Sequence, residues 1–287
     1  METVLVTGST GQLGSELMKL FEDSRFELHG SYFETEPIVK GKYHKLDLGD
    51  REEVYETLKS ILPDVIIHCA AMTNVDDCER RPELARKINF QGTESIVDYA
   101  IEMGCRIYYV STDCVFDGED GNYREEGKEN PIQTYGETKL QGERTVSRLD
   151  EEAFCIIRTS VVFSSNSGNF VSWVIESLEA GEEIRVVGDQ WVTPTYSVDL
   201  AEKICKLVTE QRFGVWNISC SDKISRLEMA SIISNTLGLR GEGIKSVKLE
   251  DLDWLAKRPQ DSTLNTDKIG RVSRTYTFEE CLKRMVG

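Results

Sequence analysis

Short runs of apolar and β-branched residues alternate with amphipathic stretches along the first two-thirds of the chain. The apolar runs predict strands at Thr3–Thr7, Phe26–Phe33, Tyr43–Leu48, Asp64–Cys69, Arg106–Ser111 and Ala153–Thr159. The stretches between them predict helices that begin near Gln12 and Glu52, one that ends near Met103, and one over about Tyr135–Ser147. Strands that alternate with helices indicate an α/β fold, a doubly wound parallel sheet of Rossmann type with helices on both faces.

The segment Asn166–Ala180 and the last 70 residues follow this alternation less closely, which predicts a smaller C-terminal lobe interleaved with the sheet. We expect residues 1–163 and 185–218 to form the Rossmann domain, and residues 164–184 and 219–287 to form the smaller lobe. Two capping boxes predict helix starts, one formed by Thr134 and Glu137 and one formed by Ser225 and Glu228. In each pair, the two side chains can satisfy each other's backbone amide.

The 287-residue chain carries a formal net charge of −16, and this charge excludes several classes of partner. A field of this sign repels nucleic acid and anionic membranes, so we expect neither as a partner. No apolar run reaches the roughly 18 residues that a membrane span requires, and no basic segment of the signal-peptide kind opens the sequence. We therefore expect a cytoplasmic protein that holds any phosphate-bearing ligand with backbone amides and a few placed cations.

Eight cysteines occur, none of them in a C-x-x-C pair, and several lie in apolar runs such as the one that ends at Cys69. This pattern is typical of free thiols that pack as small hydrophobic side chains in a reducing compartment. A metal site needs clustered ligands, whereas the three histidines, His29, His44 and His68, are scattered. The sequence therefore predicts no metal site.

A glycine-rich turn follows the first predicted strand and precedes the first predicted helix. Glycines stand three residues apart at Gly8, Gly11 and Gly14. One glycine permits the tight turn, another lets the backbone approach a pyrophosphate, and the helix N-terminus then faces that anion. This setting predicts a dinucleotide site, with Gly8, Thr10, Gly11, Gln12, Leu13 and Gly14 as the candidate cofactor-binding residues of the turn.

The residues at the end of the second predicted strand do not decide between NADP(H) and NAD(H). An acidic residue that holds the ribose hydroxyl is expected near Tyr32–Glu34, where Glu34 comes late and no arginine stands to grip a 2′-phosphate. We lean slightly towards NADP. Asp47 and Leu48 are candidates for the adenine pocket, although Asp47 also suits a cap on the following turn. The small residues Ala70 and Ala71, with Met72, suit close passage of the cofactor as well as plain packing.

The candidate catalytic residues are a tyrosine and a lysine one helical turn apart. Tyr135 and Lys139 stand at i and i+4, so they share one helix face. A nearby ammonium favours the phenolate, so we expect Lys139 to lower the pKa of Tyr135 towards the working pH. A hydroxyl from Ser111 or Thr112, which end a strand, can hydrogen-bond a substrate oxygen and share its developing charge.

Together these motifs make the sequence similar to the extended short-chain dehydrogenase/reductase superfamily and, within it, to the dTDP-4-dehydrorhamnose reductase family. The superfamily resemblance rests on the glycine turn and Y-x-x-x-K. The family resemblance rests on three more distinctive stretches, S-T-D-x-V-F-D-G, D-Q…P-T and R-P-x-x-S-x-L. The similarity spans nearly the whole chain and includes TGSTGQLG (7–14), CAAMTNVDDCE (69–79), NFQGTESI (89–96), VSTDCVFDG (110–118), YGETKLQGE (135–143), RTSVVF (158–163), GDQWVTPT (188–195) and RPQDSTLN (258–265).

The resemblance implies reduction of the 4-keto group of a dTDP-4-dehydro-6-deoxyhexose, with an NAD(P)-binding Rossmann domain and a substrate-binding smaller lobe. It implies that Tyr135 protonates the carbonyl oxygen, that Lys139 binds the nicotinamide ribose, and that Thr112 completes the proton-donating set. Gly11, Gln12 and Leu13 would line the pyrophosphate, Asp47 and Leu48 the adenine, and Ala70, Ala71 and Met72 the central cofactor. The expected partner is a nucleotide sugar, with a homodimer as a possible assembly.

The substrate side is expected to involve Thr112, Asp113, Cys114 and Arg258. Asp113 would face the sugar, and Arg258 could bring a cation to a substrate diphosphate or be an ordinary surface arginine. Asn89 could hydrogen-bond backbone near the active site or simply interrupt a helix. The family usually has an aromatic residue at Cys114 and often a tryptophan at Val161, so contacts to the sugar differ here.

Two other functions fit the same motifs. A nucleotide-sugar epimerase or dehydratase of the superfamily would generally have a larger C-terminal lobe, and a dehydratase would have glutamate where Cys114 follows Asp113. A non-catalytic dinucleotide-binding subunit, resembling the methionine adenosyltransferase β subunit, is the alternative outside enzymology. The departures at Cys114 and Val161 are compatible with it.

Overall fold

The computed structural model has a strand at each place where the apolar runs predict one. It describes residues 1–22, 26–37, 41–166 and 168–287; residues 23–25, 38–40 and 167, which the predicted domain ranges include, lie outside this description. The strands are β1 (Thr3–Thr7), β2 (Glu27–Tyr32), β3 (Lys42–Lys45), β4 (Val65–His68), β5 (Arg106–Thr112), β6 (Phe154–Thr159), β7 (Val162–Phe163), β8 (Ile184–Val187), β9 (Trp191–Val192), β10 (Thr195–Tyr196), β11 (Gly214–Asn217), β12 (Ile224–Ser225) and β13 (Ile244–Val247). The helices are α1 (Gln12–Glu22), α2 (Arg51–Ile61), α3 (Val75–Arg80), α4 (Pro82–Ala85), α5 (Gly92–Met103), α6 (Thr134–Val146), α7 (Phe170–Glu179), α8 (Ser197–Thr209), α9 (Arg226–Leu237), α10 (Asp267–Gly270) and α11 (Phe278–Val286).

Seven strands form one sheet in the order β11-β6-β5-β4-β1-β2-β3, and every pairing in it is parallel. The chain runs outward from β1 to β3, returns to β4 on the other side of β1, and continues outward to β11. The strand order therefore reverses between β1 and β4. At such a switch point the carboxyl ends of the strands diverge and leave a crevice for a ligand. The predicted doubly wound α/β fold is confirmed.

The central strand β1 shows why helices cover both faces of the sheet. Its residues Val4, Leu5 and Val6 are fully buried, and successive side chains of a strand point to opposite faces. Val4 and Val6 pack with apolar side chains of α1 and α8, while Leu5 packs with those of α2 and α5. Burying each of these side chains contributes about 1.5–3 kcal/mol to stability. A strand with apolar residues on both faces is therefore most stable between two layers of helices.

The smaller lobe has an apolar core of its own. Helices α7, α9 and α11 contribute Val174, Met229, Ile233 and Phe278 to it. Within this lobe β8 pairs in parallel with β13. The sequence prediction assigned residues 185–187 to the Rossmann domain, but they lie in β8 and pair outside the seven-stranded sheet. The remaining boundaries of the two-domain division stay a prediction.

Helix α6, which carries the candidate catalytic pair, is capped by Gln133. Its side-chain oxygen accepts a hydrogen bond of 2.6 Å from the amide of Gly136, and Thr134 is already the first helical residue. The predicted capping box of Thr134 and Glu137 is therefore wrong. The amide of Thr134 donates instead to the carboxylate of Glu79 on α3, at 3.0 Å. A hydrogen bond to a residue of another helix thus replaces the predicted one within α6.

The second predicted capping box is confirmed. Ser225 Oγ accepts from the amide of Glu228 at 3.1 Å, and the carboxylate of Glu228 accepts from the amide of Ser225 at 2.7 Å. The helix predicted to end near Met103 is α5, which follows directly on a π-helical turn over Arg86–Gln91. In the part of the chain that the structure describes, no helix is both long enough and apolar enough to cross a membrane.

Candidate active site

A cavity of about 970 Å³ opens at the carboxyl ends of the central strands and extends to the smaller lobe. Its volume lies at the upper end of the range of small-molecule sites. Every residue that the sequence suggested for the site lies at its wall: Gly8, Thr10, Gly11, Gln12, Leu13, Gly14, Asp47, Leu48, Ala70, Ala71, Met72, Ser111, Thr112, Asp113, Cys114, Tyr135, Lys139 and Arg258. The tertiary structure therefore brings the set together, while the individual roles stay predictions.

The glycine turn between β1 and α1 forms one end of the cavity. At Gly8 and Gly14 the neighbouring backbone leaves no room for a side chain. Gly8 has φ +65°, and a Cβ there would lie 2.9 Å from Cα of Ala70. A Cβ on Gly14 would lie 2.1 Å from the carbonyl oxygen of Gly8. The turn thus brings bare backbone to the N-terminus of α1, which is the arrangement that binds a pyrophosphate. These residues fit the dinucleotide that the sequence predicts.

Replacing Gly14 with Ala is expected to weaken dinucleotide binding at least about tenfold, because the turn must open to admit the methyl group. Fluorescence titration with NADPH and with NADH measures the dissociation constants. Gly270→Ala is the matched control, since a Cβ there meets only Thr275 Cγ2, at 3.9 Å. Unchanged affinity in the folded Gly14→Ala variant would contradict the assignment of the turn.

Asp47 combines the two roles between which the sequence could not choose. It lines the cavity, and its Oδ1 accepts a hydrogen bond of 2.7 Å from the amide of Gly49, which caps the following turn. Glu34 lines the same cavity, as do two cations that the sequence analysis missed, Arg81 and Lys87. Arg81 and Lys87 lie on elements other than β2, so the search near the end of the second strand did not find them. The slight preference for NADP stays a prediction.

A buried hydrogen-bond network fixes the segment that follows β4. Thr7 Oγ1 accepts from the amides of Cys69 and Ala70, both at 3.1 Å, and bonds the ring of His68 at 2.7 Å. Burial lowers the pKa of His68 to about 3, and the nearby Lys139 charge acts in the same direction. His68 is therefore neutral and structural at physiological pH.

Asn89 holds the next part of this segment. Its Oδ1 accepts from the amide of Met72 at 2.7 Å, and its Nδ2 donates to the carbonyl oxygen of Met72 at 3.0 Å. Asn89 lies within the π-helical turn, a feature that often marks functional sites. Both possibilities raised by the sequence are therefore true, since Asn89 interrupts an α-helix and bonds backbone beside the site.

Tyr135 and Lys139 lie on the first two turns of α6 and face the cavity. Close packing of α6 against the end of β5 fixes their position, because a Cβ on Gly136 would lie 2.0 Å from the carbonyl oxygen of Cys114. Lys139 Nζ donates to the carbonyl oxygen of Val110 at 2.7 Å and lies 4.0 Å from the ring centroid of Tyr109. The ammonium is thus positioned by β5 before any ligand arrives.

The protonation of the pair differs from the sequence expectation. Burial raises the pKa of Tyr135, the charges of Cys114 and Asp113 add to the rise, and a hydrogen bond with Thr112 opposes it. Burial lowers the pKa of Lys139 to about 7, against the opposing charges of Glu143 and Cys69. The prediction that Lys139 lowers the pKa of Tyr135 is wrong for this structure. Burial has the largest effect on the pKa of Tyr135. Burial also lowers the pKa of Lys139, so this side chain carries less positive charge with which to lower the pKa of Tyr135.

The two candidate hydroxyls at the end of β5 point to different partners. Ser111 Oγ donates to the carboxylate of Glu143 at 2.5 Å and is thereby engaged in the protein interior. Thr112 Oγ1 accepts from the amide of Cys114 and donates to Asp113, both at 3.1 Å. Both residues line the cavity, and both hydroxyl protons are donated within the protein. Thr112 donates to Asp113, which lines the cavity itself, over a longer hydrogen bond than that of Ser111.

Asp113 connects the end of β5 to the smaller lobe. Its Oδ2 accepts hydrogen bonds from Ser160 Oγ at 2.7 Å and from Ser262 Oγ at 2.5 Å. Burial raises the pKa of Asp113, and the hydrogen bonds from Ser262, Ser160 and Thr112 oppose that rise. Asp113 lies at the cavity wall as predicted, and its carboxylate also fastens the two lobes together.

The lobe side of the cavity carries two arginines, of which the sequence analysis found one. Arg258 forms an ion pair of 2.8 Å with Asp76 and lies over the ring of Trp254, at 4.7 Å. Arg226, the first residue of α9, was missed, because nothing in its local sequence distinguishes it from a surface arginine. Only the packing of α9 brings it to the cavity.

Val161, one of the departures from the family pattern, lines the cavity with a strained backbone. Its φ of +42° lies in the left-handed region, which is an outlier for a β-branched residue. Such strain costs about 1–3 kcal/mol and persists only where the surroundings impose it. The surroundings therefore impose this backbone conformation on the turn between β6 and β7.

The whole chain, residues 1–287, matches the family described as the RmlD substrate binding domain. A probable low-salt glycan biosynthesis reductase of Haloferax volcanii is 32% identical over 92% of this chain and 90% of its own length. A dTDP-4-dehydrorhamnose reductase of Aggregatibacter actinomycetemcomitans is 31% identical over 94% of this chain and 92% of its own. The bovine methionine adenosyltransferase 2 subunit beta is 28% identical over 93% of this chain and 81% of its own.

Solved structures show the same similarity. The crystal structure of a hypothetical dTDP-4-dehydrorhamnose reductase from Sulfolobus tokodaii has a TM-score of 0.90 and 37% identity, with each chain fully covered. The Bacillus anthracis dTDP-4-dehydrorhamnose reductase in complex with NADP has a TM-score of 0.88 and 30% identity over 99% of this chain and 98% of its own. The predicted family resemblance and the fold class are confirmed. The reductase names and the bound NADP of these relatives agree with the expected nicotinamide-dependent oxidoreductase class and its NADP(H) or NAD(H) cofactor.

Proposed function

The chain belongs to the RmlD substrate binding domain family, and on this premise we propose that it reduces the 4-keto group of a dTDP-4-dehydro-6-deoxyhexose. The specific reaction is dTDP-4-dehydrorhamnose to dTDP-rhamnose, with NADPH or NADH. One observation carries the proposal. Tyr135, Lys139 and Thr112 lie in the cavity whose far end is the glycine turn, so one ligand space joins a dinucleotide cradle to a proton donor.

The bound nicotinamide would supply the hydride. Residues of this chain would then do the remaining work at the carbonyl oxygen of the sugar. The phenol of Tyr135, whose pKa is raised by burial, keeps its proton until negative charge develops on that oxygen and then donates it. Thr112 Oγ1 would hydrogen-bond the same oxygen, and the ammonium of Lys139 would stabilise the phenolate that remains.

The direct test mixes the purified protein with NADPH or NADH and the keto sugar nucleotide and follows the absorbance of the reduced nicotinamide. We expect the absorbance to fall with formation of the corresponding 4-hydroxy sugar nucleotide. Folded protein that binds the cofactor but leaves the absorbance unchanged would contradict the proposal. A cofactor that copurifies at full occupancy and is regenerated would favour the epimerase or dehydratase alternative instead.

The pH dependence of the reaction should reflect the buried lysine. Burial lowers the pKa of Lys139 to about 7, so the ammonium is present below that pH and is lost above it. We expect kcat/KM for the cofactor, which reports groups of the free protein, to decrease as the pH rises through about 7. The measurement is a profile from about pH 6 to about pH 9. A profile that stays flat over this interval would exclude Lys139 as the titrating group.

The similarity to the methionine adenosyltransferase β subunit keeps a regulatory role as the second candidate. Gel filtration with candidate partner proteins separates the two. A stable complex, together with dinucleotide binding and no turnover of the keto sugar, would favour the regulatory role. Turnover that depends on Tyr135 would favour the reductase.

A further inference from the structure

Arg226 lies at the cavity wall, on the side of the smaller lobe. Its guanidinium lies over the ring of Phe170, at 4.9 Å, and its backbone amide donates to the carbonyl oxygen of Gln190 at 3.3 Å. Within the described residues, no side chain forms a hydrogen bond or an ion pair with the guanidinium. We propose that Arg226 binds the diphosphate of the substrate, as a second cationic contact beside Arg258.

The carboxylate that interacts electrostatically with Arg226 is that of Asp113. Its oxygens already accept hydrogen bonds from Thr112, Ser160 and Ser262. Burial lowers the pKa of Arg226 to about 10, with Asp113 and Cys114 opposing the shift and the like charge of Arg258 adding to it. Arg226 is half-buried, so its charge is only partly hydrated and has no ion-pair partner among the described residues. An anionic ligand would supply a counter-charge.

The second arginine differs in having a partner within the protein. Arg258 forms its ion pair with Asp76 on α3, so part of its charge is offset before a ligand binds. Arg226 and Arg258 both line the lobe side of the cavity. An anionic ligand would therefore stabilise Arg226 more than Arg258, because only Arg258 already has an ion-pair partner.

A diphosphate is the anion that fits this place best. A guanidinium presents a planar set of donors that matches phosphate oxygens bidentately. The chain as a whole carries a net charge of −16 and repels anions, so a diphosphate has to be retained by local cations. Tyr135 and the glycine turn lie on the Rossmann side, so arginines on the lobe side would hold the part of the substrate that the cofactor does not contact.

The inference rests on the proposed function only for the nature of the ligand, and its test needs no turnover. Calorimetric titration of the NADP⁺-loaded protein with dTDP, dTMP and thymidine measures the contribution of each phosphate. In Arg226→Met, we expect the dissociation constant for dTDP to increase about 10- to 100-fold, as for one lost charge-assisted contact. The values for thymidine and for NADP⁺ should not change. Arg226→Lys should recover part of the affinity.

Arg240→Met is the matched control, since Arg240 is exposed and away from the cavity wall. A dTDP affinity within about twofold of wild type in Arg226→Met overturns the inference and leaves the proposed function standing. An effect confined to dTDP-glucuronate, and absent with dTDP-glucose, would assign Arg226 to a sugar carboxylate and overturn it as well. Wild-type protein that binds dTDP without any turnover would count against the proposed function alone. Absence of dTDP binding to the wild type would overturn both.

Discussion

Tyr135→Phe should lower kcat by about 10²–10⁴-fold, the usual contribution of a positioned general acid, while cofactor affinity remains near that of the wild type. The substitution removes one oxygen and keeps the ring that packs beside Cys114. Because burial raises the pKa of Tyr135, the phenol is fully protonated at neutral pH and its proton is available for transfer. Among the described residues, the other tyrosine at the cavity wall is Tyr32, at the end of β2.

The measurement is steady-state turnover of the keto sugar nucleotide, with cofactor titration of the same preparation. Tyr55→Phe is the control, since Tyr55 packs edge-on against Tyr99 in the helical layer of α2 and α5, away from the cavity. A Tyr135→Phe variant that retains wild-type kcat would refute the proton-donor assignment. Loss of cofactor binding together with kcat would instead indicate a positioning role.

Arg158→Met should destabilise the fold by about 3–5 kcal/mol, the usual cost of leaving one member of a buried ion pair without its partner. Arg158 and Glu143 are 1% and 4% exposed, so water cannot take over the missing contact. Arg158 donates to Glu143 through Nε at 3.0 Å and Nη2 at 2.7 Å, and Nη2 also reaches Glu129 at 2.6 Å. Without Arg158, the carboxylate of Glu143 keeps only the hydrogen bond from Ser111 as a side-chain contact among the described residues.

Chemical denaturation of the variant and the wild type measures this loss as a difference in the free energy of unfolding. Arg51→Met removes the exposed ion pair with Asp98 and should cost less than about 1 kcal/mol. The double variant Arg158→Met with Glu143→Gln should recover part of the stability, because it no longer buries an unpaired charge. Equal losses for Arg158→Met and Arg51→Met would show that the buried pair is not essential to the fold.

The Glu143 pair also connects stability to the candidate chemistry. Glu143 lies one helical turn after Lys139, and its charge raises the pKa of Lys139 against the effect of burial. The same carboxylate holds the hydroxyl of Ser111 at the end of β5. One buried charge therefore supports the position of α6 on the sheet and the protonation of its lysine.

The sequence by itself determined the fold class and many of the residues that line the cavity. The strand and helix periods, the glycine turn and the spacing of Tyr135 and Lys139 are local patterns, and local patterns can be read without knowing what packs against them. For that reason all the suggested site residues were found at one cavity. The confirmed capping box at Ser225 is equally local, since both of its partners lie within one helical turn.

The tertiary structure alone decided how those residues are used. Ser111 donates to Glu143, Lys139 donates to Val110, and the amide of Thr134 is taken by Glu79. In each case a partner from another element replaced the expected one. Burial also reversed the expected shift in the pKa of Tyr135, and packing of α9 brought Arg226 to the cavity wall. Hydrogen-bond partners and desolvation depend on contacts between residues far apart in the chain, which no local pattern records.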